Sequence, residues 1–216
     1  NSTDAETNNS SDGYLDSFDS DGFTLRVGSS GISDWYDNRN GNNHVAWNWK
    51  AGGTAASNSD GSITSSVSAN TTAGFSVLTY TGNETAGATV GHGLSQAPEL
   101  VINKTLGAAT QWYVNATAVS DTSNKVLMLN DTGALDAGTI YFNDTNPTAT
   151  LITLGSYGNL NNTGSNVIYC WHSVEGYSRV GKYTGNGATN GPFIYTGFRP
   201  AFLMVKLVTA ASGSWV

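Results

Sequence analysis

Cys170 and His172, two positions apart in "NVIYCWHSV", are the residue types from which a thiolate nucleophile and its base are built. In an extended strand, residues two apart point to the same face, so the thiol and the imidazole can meet. The sequence supplies no third group to orient the imidazole, and the neighbours are apolar, so a buried, inert thiol is the simpler expectation. The histidines His44, His92 and His172 share no metal-ligand spacing, and a single cysteine builds neither a disulfide nor a thiolate cluster. Glycoside hydrolysis needs two carboxyl groups facing across a cleft, about 5–10 Å apart. Here the acids fall mainly in turn-like stretches and nothing selects a pair; no G-x-S-x-G elbow or phosphate loop occurs either. The expectation is a protein that makes and breaks no bonds.

Binding chemistry is better represented. "SFDSDG" puts Ser17, Asp19, Asp21 and Gly22 at the first, third, fifth and sixth positions of a calcium loop, but position twelve is Gly28 where a bidentate Glu is required. Asp19 and Asp21 are therefore the metal candidate, and calcium is the one cofactor suggested. Sugar recognition asks for a ring that stacks on a pyranose, with Asn and Asp to hold hydroxyls. "SDWYDNRNGNN" at 33–43 offers Trp35, Tyr36, Asp37 and Asn38, and "QWYVNAT" offers Trp112 and Tyr113. The first group is the stronger, because Trp112 has a later counterpart in Trp215, and a repeated Trp suggests packing. About ten Asn-x-Ser/Thr sequons, among them Asn70, Asn83, Asn103, Asn115, Asn130 and Asn143, are what an Asn- and Thr-rich turn composition produces by chance.

Composition narrows the partners. A net charge of −7 on 216 residues, with no Lys/Arg cluster, lacks the electrostatic footprint of phosphate-backbone binding. Nor does any apolar run approach the roughly 18 residues that a membrane helix requires. With 26 Gly and only 12% charged residues, the chain is unlike an ordinary cytosolic enzyme. Short strands joined by polar turns are the simplest way to use such a composition.

Hydrophobic residues recur at period two and almost never at period 3.6. Strands are expected at 22–27, 44–50, 74–80, 99–104, 150–154, 166–172, 192–198 and 201–208, separated by Gly, Asn, Asp and Ser clusters. No convincing helix is found. This pattern predicts an all-β sandwich or jelly roll, with most of the six Trp packing the interior.

The chain also repeats itself. "TYTGNETAGATVGHGLSQAPELVINK" (79–104) is echoed by "KYTGNGATNGPFIYTGFRPAFLMVK" (182–206): Tyr80-Thr81-Gly82-Asn83 matches Tyr183-Thr184-Gly185-Asn186, Pro98 matches Pro200, and Lys104 matches Lys206. "DGFTLRVGSSG" (21–31) resembles "ATLITLGSYGN" (149–159), and "HVAWNWKAGG" resembles "NVIYCWHSVEG". On this phasing 74–176 is one complete β unit. Residues 1–73 are an N-terminal segment with the second half of a unit (14–53), and 177–216 hold the first half of a further one. The two halves are expected to complete each other, within the chain or between copies.

These phrases, with "SFDSDGFTL", "SANTTAGFSVLTYTGN" and "GYSRVGKYTGNG", resemble a repeat found in large structural proteins of marine bacteriophages, which often also carry concanavalin A-like, jelly-roll lectin segments. The resemblance covers nearly the whole chain from about residue 14. It implies a virion or extracellular setting, a concanavalin A-like β-sandwich of repeated units, and a fibre or appendage protein that associates with itself, with neighbouring subunits or with a host-surface glycan. It implies no catalytic or binding residue.

Overall fold

The computed structural model describes residues 13–28, 41, 43–117, 125–209 and 213–216. It divides into two compact units, one centred on Lys50–Val216 and one within Glu6–Trp49. The smaller holds an antiparallel hairpin of β1 (Tyr14–Phe18) and β2 (Phe23–Arg26). Asp19 N–H donates to the Gly22 carbonyl at 2.9 Å to close its turn, and Arg26 Nε meets Asp16 Oδ2 at 2.7 Å.

The larger unit is built from β3 (Ala56–Asn58), β4 (Ser65–Asn70), β5 (Phe75–Thr81), β6 (Ala88–Gly91), β7 (Leu100–Thr105), β8 (Tyr113–Ala116), β9 (Lys125–Met128), β10 (Asp136–Ala137), the one-turn helix α1 (Thr139–Phe142), β11 (Leu151–Leu154) and β12 (Ser165–Trp171). Eight of these strands form one antiparallel sheet in the order β10-β9-β8-β7-β12-β5-β4-β3. Strands β6 and β11 form a separate two-stranded ribbon. The last strand in the chain thus lies between β7 and β5, with Ile168 opposite Asn103 on one side and Leu78 on the other.

Alternation along each strand sorts side chains to two faces. The inner face carries Val67, Leu78, Val101, Tyr113, Val126, Ile168 and Cys170, which pack against Val90, Ile152 and Leu154 of the ribbon and Tyr141 and Phe142 of α1. The inner layer also holds buried polar groups, each of which must find a hydrogen bond or weaken the fold. Asn103 Nδ2 donates to Tyr80 Oη at 2.7 Å, and the Tyr80 hydroxyl donates to the Leu160 carbonyl. Asn161 Nδ2 donates to the Gly155 and Thr85 carbonyls at 2.9 and 3.1 Å. Asn166 Nδ2 reaches the Asn162 carbonyl at 2.9 Å. Asparagines and one tyrosine therefore fasten the 155–164 loop over the sheet. That loop passes so close to Gly82 that a Cβ there would lie 2.4 Å from Asn161 C, so the glycine of the first Tyr-Thr-Gly-Asn is required by packing.

The outer face changes character across the sheet. On β12, β7, β8 and β9 it is apolar, with Ile102, Val114 and Leu127 buried beneath Trp112, Leu135, Tyr169, Trp171, Val208 and Trp215. On β3, β4 and β5 it carries Ser57, Ser66 and Thr79, aligned in one row across three strands.

The all-β class is as expected, and strands form at 22–27, 74–80, 99–104, 150–154 and 166–172 to within a residue or two. Three expectations fail: the stretches 44–50, 192–198 and 201–208 enter no strand. An alternating pattern becomes a strand only where a neighbour's N–H and C=O groups line up with it, as β12 does for both β5 and β7. A limited pairing survives at the C-terminus, where Val205 and Val216 exchange both backbone hydrogen bonds at 2.7 and 3.0 Å. The strands β1, β3, β4, β6, β9 and β10 and the helix α1 were not anticipated, being short or rich in Ser, Thr and Asn. Among the described residues the second layer is a two-stranded ribbon with one helical turn, not a second broad sheet. The sheet also runs past the expected boundary at residue 74, because β3 and β4 extend it.

Candidate functional site

A concavity lies where the polar part of the outer face meets the strand ends. It encloses about 320 Å³ and is lined by Ser57, Thr64, Ser65, Ser66, Thr79, Tyr80, Thr81 and Ser165. Four strands position these groups: Ser57 lies opposite Ser66, Ser66 opposite Thr79, and Thr81 opposite Ser165. Seven of the lining residues carry aliphatic hydroxyls, and Ser65 Oγ is already committed to the Gly91 carbonyl at 2.7 Å. Uncharged hydroxyls that both donate and accept suit a polyhydroxylated ligand, and the hollow has no exposed ring to stack on it. Sequence reasoning missed it, although "SITSSVSAN" carries the signal, with Thr64, Ser66 and Ser68 at period two.

A second, smaller hollow of about 200 Å³ is lined by Val126, Met128, Asp131, Gly133, Ala134 and Asp136. Beside it three tyrosines meet edge to face, with Tyr113–Tyr157 and Tyr141–Tyr157 ring centroids 5.6 and 5.1 Å apart. Tyr141 donates to Asp136 Oδ2 at 2.5 Å, and Asn159 Nδ2 donates to the Tyr113 and Tyr157 hydroxyls, both at 3.2 Å. Burial, then the Asp136 carboxylate, pushes the Tyr141 hydroxyl well above its ordinary pKa. Burial does the same for Tyr113. These phenols stay protonated and serve as packing with polar tips.

The sugar-binding candidates fare unequally. Trp35, Tyr36, Asp37 and Asn38 lie outside the described residues. Trp112 and Tyr113, being consecutive, point to opposite faces. Tyr113 is 1% exposed within the inner core and cannot stack on a ligand, which corrects its assignment. Trp112, like Trp171 and Trp215, packs against Ile102, Val114 and Leu127 on the outer face.

The Asp19 carboxylate is taken up locally, accepting hydrogen bonds from Thr24 Oγ1 at 2.7 Å and Ser17 Oγ at 2.9 Å. The Thr24 and Ser17 hydroxyls hold it below its ordinary pKa. Asp21 is an exposed turn residue, and no cluster of three metal-ligating side chains occurs among the described residues.

Cys170 is fully buried, and burial pushes its thiol up to about 12 despite the Ser76 hydroxyl across the β12–β5 pair. His172 places Nδ1 2.8 Å from the Ser173 carbonyl, which leaves Nε2 as a buried lone pair without a hydrogen-bond partner. The thiol is thus inert, as the simpler expectation held. His92 is buried with both ring nitrogens engaged, by Thr148 O and Leu94 N–H, each at 3.2 Å, and burial lowers its pKa. Two sequon asparagines, Asn103 and Asn115, are buried and inaccessible in the folded chain.

The family described as "Domain of unknown function (DUF7483)" matches residues 1–216. The chain belongs to this family. No curated protein and no solved structure matches it significantly. For this DUF7483 chain, then, the arguments for function rest on its own residues. Among those described, no helix is long and apolar enough to cross a membrane.

Proposed function

We propose that this chain is a non-enzymatic structural and adhesive module of a virion or an extracellular surface appendage, with a jelly-roll-type, concanavalin A-like architecture built from repeated units. The observation that carries the reading is the contrast between the two Tyr-Thr-Gly-Asn stretches. One is locked inside a sheet by an asparagine network, and the other displays Tyr183, Phe193, Tyr195 and Leu203 to solvent. A surface that retains strand-forming residues outside a sheet suits assembly with other subunits, because exposed strand-capable segments recruit further strands. The insertion of β12 between β7 and β5 is the kind of non-sequential return that jelly rolls use. The resemblance to structural repeats of marine bacteriophages supports the setting.

A carbohydrate-binding module, secreted or virion-borne, is the second reading, favoured by the hydroxyl-lined hollow at Ser66 and Thr79. A glycan array separates the two. Reproducible binding that is abolished by Thr79→Ala or by Trp35→Ala makes recognition the main task, whereas silence across the array together with ordered assemblies in electron micrographs supports the structural module. Turnover of a surface polysaccharide would contradict both.

A further inference from the structure

The hollow on the outer face is lined by hydroxyls that strand register sets out in rows. Ser57, Ser66 and Thr79 lie opposite one another in turn across β3, β4 and β5. Two residues along β5, Thr81 lies opposite Ser165 of β12, and Thr64, just ahead of β4, completes the lining beside them. All six are exposed, whereas the other two lining hydroxyls are engaged inside the fold, Ser65 on the Gly91 carbonyl at 2.7 Å and Tyr80 on the Leu160 carbonyl. The two ends of the hollow differ. Among the described residues β3 is the edge of the sheet, so the rows run open on that side. On the other side Thr79 is followed by Val167 and then Lys104, both buried. Lys104 Nζ donates to the Ala108 carbonyl and to Thr110 Oγ1, each at 3.1 Å, so the 108–110 segment closes over the row there.

Each of these properties restricts what can bind. No lining residue carries a charge, and the chain's net charge is −7, so a sulfated or otherwise anionic ligand gains nothing here. The one lining ring, Tyr80, is 4% exposed and cannot stack on a ligand, so recognition falls to hydroxyls that both donate and accept. Neighbouring strands lie about 4.8 Å apart, close to the advance per sugar of an extended pyranose chain, so a row can offer one hydroxyl to each sugar. We propose that the hollow binds the end of an extended, uncharged polysaccharide laid across the strands, with one sugar over each of β5, β4 and β3. The chain end meets the 108–110 side, and the remainder leaves over the β3 edge. At about 320 Å³ the hollow sits at the small end of small-molecule sites, about 300–1,000 Å³, so only the first few sugars are held. This deepens the carbohydrate-recognition reading and rests on it.

The test titrates the full chain with uncharged β-1,4-linked oligosaccharides of glucose, mannose or N-acetylglucosamine, each from the mono- to the hexasaccharide, beside a sulfated glycan. The expected result is that at least one uncharged series binds, with affinity rising to the trisaccharide and level beyond it, in chelator as in calcium. Ser66→Ala and Thr79→Val each remove one neutral hydrogen bond and should weaken binding about threefold to tenfold. Both sites are exposed, and Thr79→Val keeps the β-branched shape that suits a strand. Should either variant misfold, Ser57→Ala, in the same row at the sheet edge, takes its place with the same expected loss. Binding that no such variant weakens, or that favours the sulfated glycan, overturns the proposal and leaves recognition to another surface of the chain. No binding in any uncharged series also overturns it, and silence across a full glycan array then removes the recognition reading as well.

Discussion

At the level of single residues, the buried polar groups decide most. Tyr80→Phe removes the hydroxyl that bridges Asn103 Nδ2 and the Leu160 carbonyl in the core, leaving them only their long direct contact at 3.4 Å. Leaving a buried partner unsatisfied costs about 1–3 kcal/mol, so urea denaturation of this variant is expected to show that loss with an unchanged slope. His92 gives the fold a pH dependence of definite sign. Burial depresses its folded pKa below the ordinary 6.5. The unfolded chain therefore binds the extra proton first, and stability present above pH 6.5 falls as the solution is acidified toward the folded pKa. Melting temperature measured from pH 7.5 to 5 should drop, and His92→Gln should flatten the profile. Cys170, with its thiol pushed up to about 12 by burial, should react with a thiol reagent only after denaturant is added. These roles were partly legible. The inert thiol follows from the apolar neighbours of Cys170, but the locking function of Asn103, Asn161 and Asn166 was hidden, because an Asn in a turn-rich sequence reads the same whether it caps a turn or bridges two distant segments.

Among the elements, β12 matters most because it bridges β5 and β7, with all seven of its residues paired to β5 and six to β7. Ile168 is fully buried at its centre, and Ile168→Ala should cost about 2–5 kcal/mol in a denaturant titration. The sequence showed β5, β7, β11 and β12 through alternating or continuous apolar residues. It hid β3, β4 and β6, whose signal is hydroxyls alternating with small apolar groups, and it overstated 44–50, 192–198 and 201–208. Those stretches have the same pattern as true strands, but pattern measures readiness to pair and not the presence of a neighbour. The hydroxyl-lined hollow was missed for a related reason. Its residues come from four strands, and only register assembles Ser57, Ser66 and Thr79 into a row.

For the whole molecule, the two Tyr-Thr-Gly-Asn stretches differ in surroundings, with Tyr80 buried in the sheet and Tyr183 exposed. Asp19 accepts hydrogen bonds from Thr24 and Ser17, and added calcium or a chelator is expected to leave the thermal midpoint where it was. The most direct measurement of the central claim is amide hydrogen exchange of the full chain over a range of protein concentrations, followed on peptides from 75–81, 177–186 and 202–207. The account predicts that 75–81 is protected at every concentration, whereas 177–186 and 202–207 exchange fast when dilute and become protected as the chains associate. Fast exchange of 177–186 and 202–207 at all concentrations would contradict it.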